Sequence, residues 1–93
     1  MARATARHIL VASKEVCEDL KQQIETGTDF AAIARDHSLC PSGKQGGGLG
    51  EFGPGQMVKE FDQAVFTGEV GKVLGPIQTQ FGFHLLEVTS RTE

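Results

Sequence analysis

The chain has few cysteines, no excess of basic residues and no long apolar run. Cys17 and Cys40 are its only two cysteines. Two are too few for a disulfide framework, and they do not form a CxxC pair. Both are expected to remain thiols in a reducing compartment. The candidate metal ligands Cys17, Cys40, His8, His37 and His84 contain no C-x₂-C or H-x₃-H spacing, so neither a metal site nor a cofactor is expected. Nine Lys and Arg stand against twelve Asp and Glu, for a net charge of −3. The basic residues are scattered, which argues against a nucleic-acid footprint. No apolar run reaches the ~18 residues that a membrane span needs. Met1 to Arg7 lack the apolar centre of a signal peptide. Cytoplasmic residence and a monomeric state are the resulting expectations.

What is present points to a small globular unit. Ninety-three residues suit one domain, residues 1–93, with a small core of its own. Thr5 to Val11 reads as a strand, with His8 on the face of Ala6 and Leu10, and Ile9 and Val11 on the other. Ser13 can cap the following helix, where Val16, Cys17, Leu20 and Ile24 recur at helical spacing and Gly27 supplies a stop. Thr28 or Asp29 opens a second helix that buries Phe30, Ile33 and Ala34. Leu39 to Gly55 is dense in glycine and includes Pro41 and Pro54. It reads as a long loop interrupted by a short strand near Leu49 to Phe52, and a loop of that length in a small domain is usually functional. Val58 to Phe66 is a third helix, with Met57 and Phe61 placed four residues apart on it. Val73 to Gln78 and Phe83 to Thr89 are strands, the last with His84, Leu86 and Val88 on one face. The order β-α-α-β-α-β-β without βαβ repeats argues for an α+β class with an antiparallel or mixed sheet.

Several motifs have bland explanations. Gly48-Leu49-Gly50-Glu51-Phe52-Gly53 matches G-x-G-x-x-G, but Pro-Gly-Gln follows where a dinucleotide site needs a helix. Ser42-Gly43-Lys44 is no P-loop, because Ser38 stands where its first glycine belongs and Gln45 replaces its Ser or Thr. The glycines are better read as permitting positive φ and close backbone packing. His8 and His84 are less casual, since each lies on the apolar face of a strand and the two strands could pair. Buried imidazoles need hydrogen-bond partners. Cys40, between His37 and the glycine loop, is compatible with a small filler or an activated thiolate.

Three separated segments carry a resemblance: His8-Ile9-Leu10-Val11, the run Cys40 to Phe61 (CPSGKQGGGLGEFGPGQMVKEF), and Thr79 to His84 (TQFGFH). Together they resemble the parvulin family of peptidyl-prolyl cis/trans isomerases, most closely the small single-domain bacterial members. The resemblance covers residues 3 to 91. It implies a four-stranded antiparallel sheet wrapped by three to four helices, an FKBP-like superfold. It implies catalytic positions at His8, Cys40, Thr79 and His84, with the histidine rings bonded to each other and to Thr79 beneath a groove. Whether the histidines act directly or orient the groove stays open at this level, with orientation favoured. For Cys40 it adds a third reading, a thiol tuning the electrostatics near the substrate carbonyl. It implies a proline pocket of Leu49, Met57 and Phe61, a substrate contact from the Gln56 amide, and a further wall from Phe81. The expected partners are proline-containing peptides and unfolded or partly folded proteins, with no nucleic acid and no membrane. A non-catalytic, polypeptide-binding chaperone of the same fold is the alternative. Two departures from the family pattern stand out. Gly48 replaces a common acidic residue, and the loop after the first strand is only Ala12-Ser13-Lys14. That loop cannot supply an arginine clamp for phosphate, so no phosphoserine or phosphothreonine requirement is expected.

Overall fold

A computed structural model describes residues 3–92; residues 1, 2 and 93 of the expected 1–93 unit lie outside the described residues. The elements run β1 (Arg3–Val11), α1 (Lys14–Glu25), α2 (Phe30–His37), a 3₁₀ helix (Pro41–Gln45), β2 (Gly48–Phe52), α3 (Lys59–Thr67), β3 (Val73–Thr79) and β4 (Gly82–Thr92). The four strands form one sheet in the order β2-β1-β4-β3, and every pair is antiparallel. The expected α+β class and antiparallel sheet are therefore seen, with three α-helices packed around it.

Local chemistry explains where the helices start. Ser13 has extended backbone and its hydroxyl accepts the Val16 N–H at 3.4 Å. Asp29 does the same for the Ala32 N–H at 3.2 Å. Such caps satisfy donors that the first helical turn leaves without a partner. The third helix is different. Its cap position is Val58, which makes no side-chain cap bond, and the helix begins at Lys59. Met57 therefore precedes the helix rather than riding on it with Phe61, which corrects the expected placement. Val16 also leaves the predicted buried stripe: it is exposed, whereas Cys17 and Leu20 are buried. The 3₁₀ helix inside the glycine-rich stretch was not expected. Its ends are closed by Gly43 N–H to Cys40 O at 2.9 Å and Gly46 N–H to Gly43 O at 3.0 Å.

The two central strands are covered on both faces, so their alternation sorts residues between two cores rather than between core and water. One core contains Ile9, Val11 and Leu85 with Cys17, Leu20, Phe30, Ile33 and Ala34 from α1 and α2. Burial, and then the nearby Glu18 carboxylate, push the Cys17 thiol up to about 11, so it packs as a small apolar group. The other core contains Ala4, Ala6, Leu86 and Val88 with Phe52, Phe61 and Val65. In the β1–β4 register His8 faces Leu86 and Leu10 faces His84. Both histidines thus lie on the α3 side of the sheet, diagonal to one another.

The glycine-rich stretch packs closest at Gly47. Its φ is +86°, and a Cβ there would lie 2.3 Å from the His8 carbonyl oxygen. Its own carbonyl accepts the His8 N–H at 2.9 Å. Gly50 also has positive φ, +74°, but nothing lies within 4 Å of a Cβ built there. Urea unfolding should separate the two positions. Gly50→Ala is expected to cost about 1 kcal/mol, from backbone strain alone, and Gly47→Ala at least about 2 kcal/mol more, because strain and backbone clash combine. Equal costs would contradict the close approach at His8.

Candidate active site

The α3 side of the sheet opens into a groove of about 400 Å³ lined by His8, Leu10, Leu39, Cys40, Pro41, Leu49, Met57, Val58, Phe61, Phe81 and His84. Each element contributes a few of these. Strands β1 and β4 supply the histidine floor. The segment entering the 3₁₀ helix supplies Leu39, Cys40 and Pro41. Leu49 comes from β2, Phe61 from α3, and Met57 and Val58 from the loop before it.

The floor is a chain of hydrogen bonds. Thr79 Oγ1 lies 2.7 Å from His84 Nε2, and His84 Nδ1 lies 3.2 Å from His8 Nδ1. The Phe81 N–H donates to Thr79 Oγ1 at 3.2 Å. With both rings neutral, one Nδ1 must carry the shared proton. If it is on His84, Nε2 of His84 accepts from the threonine hydroxyl. If it is on His8, Nε2 of His84 donates to that oxygen. Either placement satisfies the chain. Phe61 covers the pair edge-on, its ring centroid 5.4 Å from that of His8 and 4.6 Å from that of His84. The histidines are 5% and 4% exposed. Burial lowers the pKa of His8. Burial, and then the adjacent His8 ring, push that of His84 down to about 4. At neutral pH the floor is therefore polar but uncharged.

The wall opposite β4 is strapped to the end of β1. The Leu10 N–H donates to Ser38 Oγ at 3.1 Å, and the Leu39 N–H donates to the Leu10 carbonyl at 2.8 Å. Ser38 Oγ also accepts the Cys40 N–H at 3.3 Å. This strap holds Cys40 half-buried at the groove and leaves the Leu39 side chain 64% exposed on its rim. Phe81, at the β3–β4 turn, is 63% exposed on the same groove.

The structure brings His8, Cys40, Leu49, Met57, Phe61, Phe81 and His84 to one cavity, with Thr79 behind His84. Gln56 is placed differently. It is exposed, does not line the groove, and its Oε1 accepts the Gly53 N–H at 2.7 Å. Sequence reasoning missed Leu39, Pro41 and Val58. Strand periodicity placed Leu10 on the His8 face, but nothing marked it as groove-lining.

The family described as Rotamase, PPIC-type PPIASE domain, matches residues 5–90. The chain belongs to this family. Among PPIC-type relatives, the foldase protein PrsA of Geobacillus sp. is 44% identical over 89 residues, covering 95% of this chain and 32% of that protein. PrsA of Caldanaerobacter subterraneus is 45% identical, covering 88% and 27%. The chain thus spans between a quarter and a third of the length of these curated relatives. The crystal structure of PrsA from Bacillus cereus superposes with a TM-score of 0.92 at 40% identity, covering 98% of this chain and 36% of that one. The parvulin of Nitrosopumilus maritimus superposes with a TM-score of 0.87 at 32% identity, and the two match over 97% and 98% of their lengths.

Acid should act through the histidine floor. The folded pKa of His84 is depressed below the usual value of 6.5, so the unfolded chain binds the proton more tightly. Stability from the neutral rings is complete above about pH 6.5 and falls as pH drops toward 4, by on the order of 2–3 kcal/mol. Histidine NMR should show His84 titrating near 4, and urea unfolding should weaken across the same window. Titration of His84 at or above 6.5 would contradict the buried, neutral floor.

Proposed function

We propose that this PPIC-type domain accelerates rotation about X-Pro peptide bonds in peptides and folding proteins by non-covalent means. The observation that carries the reading is the groove itself: apolar walls above an uncharged, hydrogen-bonded floor. The barrier to peptide-bond rotation is about 18–20 kcal/mol, because the C–N bond has partial double-bond character. The planar amide is strongly dipolar, and the twisted amide at the barrier is less so. An apolar groove therefore favours the twisted form relative to water. Leu49, Met57 and Phe61 hold the proline ring in both states while the preceding carbonyl turns in apolar surroundings, and the lower polarity of the twisted amide there gives stronger binding at the top of the barrier than in the ground state. A 10⁵-fold acceleration requires only about 7 kcal/mol. Neither a nucleophile nor a prosthetic group is needed for that sum.

The same groove supports action without a phosphate requirement. Among the described residues its lining contains no Lys or Arg. The connection from β1 to α1 is only Ala12 and Ser13, with Lys14 opening the helix. A phosphate or a glutamate before proline would meet no bidentate partner there. Monomeric action in the cytoplasm belongs to the same proposal. Light scattering in dilute solution tests the first part of it.

One observation favours a second reading, capture of unfolded chain without catalysis. Leu39, Val58 and Phe81 are exposed large apolar residues, and all three line the groove. A chain from the structural work on PEB4 and the periplasmic protein Cj1289, two SurA-like chaperones of Campylobacter jejuni, superposes with a TM-score of 0.91 at 34% identity over 39% of its length.

NMR exchange between cis and trans Ala-Pro and Glu-Pro peptides, with substoichiometric protein, decides between the readings. Acceleration of both peptides to a similar degree is expected; binding shifts without faster exchange would leave only capture. Met57→Ala removes a half-buried wall rather than a core residue, and should lower kcat/KM by roughly ten-fold or more while the protein stays folded. Cys40→Ser should retain activity within about ten-fold. Loss to the uncatalysed rate would instead make the thiol a nucleophile.

A further inference from the structure

The proline pocket draws its walls from three places: Leu49 on β2, Phe61 on α3, and Met57 on the loop between them. Strand and helix are held by the core and Met57 packs against its edge, but the loop leading to Met57 contributes no side chain to it. Gly53 apart, residues 53–56 are exposed, and Met57 is half-buried where they meet α3. Two polar side chains tie this loop down. The Gln56 amide oxygen accepts the Gly53 N–H at 2.7 Å, and the Gln56 N–H donates to the Gly53 carbonyl at 3.3 Å. The Asp62 carboxylate, in the first turn of α3, reaches back to accept the Gly55 N–H at 2.7 Å. The Asp62 N–H donates to the Val58 carbonyl at 2.9 Å. The helix lacks a side-chain cap at Val58, so Asp62 ties the helix to its incoming loop. This resembles a capping box, in which an acid in the first turn reaches back to a preceding backbone N–H.

We propose that Asp62 and Gln56 are positioning residues of the groove: their oxygens close the 53–56 loop from both sides and thereby hold Met57 at the pocket wall. Neither side chain lines the cavity. Asp62 acts from the helix through Gly55, and Gln56 from within the loop through Gly53. The bond to Asp62 has an ionised acceptor, the stronger kind of hydrogen bond. Gly55 has a φ of +83° and is exposed, so the hydrogen bond rather than burial holds its conformation. The reading rests on the groove being the substrate site, and gives it a support that none of its lining residues supplies.

The test combines exchange kinetics with a signal from Met57 itself. The chain has two methionines, so ¹³C-methyl labelling gives two resonances, and Met57→Leu assigns them. Asp62→Ala is expected to shift or broaden the Met57 methyl resonance and to lower kcat/KM by about ten-fold, mainly through KM, because a displaced wall weakens ground-state and transition-state binding alike. Asp62→Asn keeps an acceptor oxygen and should return both readings to within about two-fold of the parent. Gln56→Ala removes the second tie at an exposed position and should move the same resonance even if Asp62→Ala does not fold. An unmoved Met57 resonance and unchanged kcat/KM in folded Asp62→Ala or Gln56→Ala would overturn the proposal. If the parent protein binds peptide but does not accelerate exchange, the isomerase reading fails on its own. The Met57 resonance and the peptide Kd then still decide whether the loop ties position the wall.

Discussion

The groove depends on one constraint: two imidazoles buried side by side on the same face of the central strands must satisfy each other. His8 and His84 are brought together by the β1–β4 register, which sets His8 against Leu86 and Leu10 against His84. A slip of β4 by one residue would turn His84 to the α1–α2 face, beside Ile9 and Val11 of β1 and away from His8. Thr79 completes the chain from the neighbouring strand, so three strands are tied into one polar line through an otherwise apolar layer. A buried, unsatisfied imidazole would cost on the order of 1–3 kcal/mol, a large share of the stability of a small domain. The same line that floors the groove therefore also favours one sheet register over its alternatives.

Charge neutrality is the second property that follows from burial. Desolvation keeps both rings unprotonated at neutral pH. Phe61, a member of the core beneath α3, lies edge-on against the pair. A charged floor would favour the dipolar, planar amide and oppose rotation. A neutral floor under aliphatic and aromatic walls does the reverse. The neutrality of the floor thus has one cause, the burial of the two rings under Phe61 and their neighbours at the bottom of the groove.

The sheet divides labour between its faces. Helices α1 and α2 cover one side with a closed apolar core. The other side is closed only where α3 and Phe52 pack, and stays open over the histidines. Around that opening polar ties supplement the packing: Ser38 to Leu10, Gly47 to His8, and Asp62 to Gly55. These ties hold irregular backbone in place where a fully packed wall would leave no room for substrate.

Much of this could be read from the residues alone, because it is local. Alternation in Thr5 to Val11 and Phe83 to Thr89 placed the strands and put each histidine on its face. Ser13 and Asp29 marked helix starts through hydrogen bonds spanning three residues. The separated segments around His8, Cys40 to Phe61 and His84 pointed to the family and to most of the groove lining. What periodicity could not place was decided by long-range contacts. The 3₁₀ helix at Pro41–Gln45 packs against α2 and β2, and the residues flanking it are hydrogen-bonded to β1 at Leu10 and His8. Leu39 and Val58 line the groove because backbone hydrogen bonds and the helix start aim them there, not because of any pattern they belong to. Gln56 turned to its own loop through the Gly53 N–H, and Asp62 reaches back to Gly55; these bonds are short in sequence, but side-chain direction rather than periodicity sets them. Sequence by itself determined which residues belong to strand, helix and floor, since propensity, capping and alternation act over a few residues. Tertiary structure alone decided how the loops close over that floor, since closure depends on hydrogen bonds between segments that meet only after the sheet has formed.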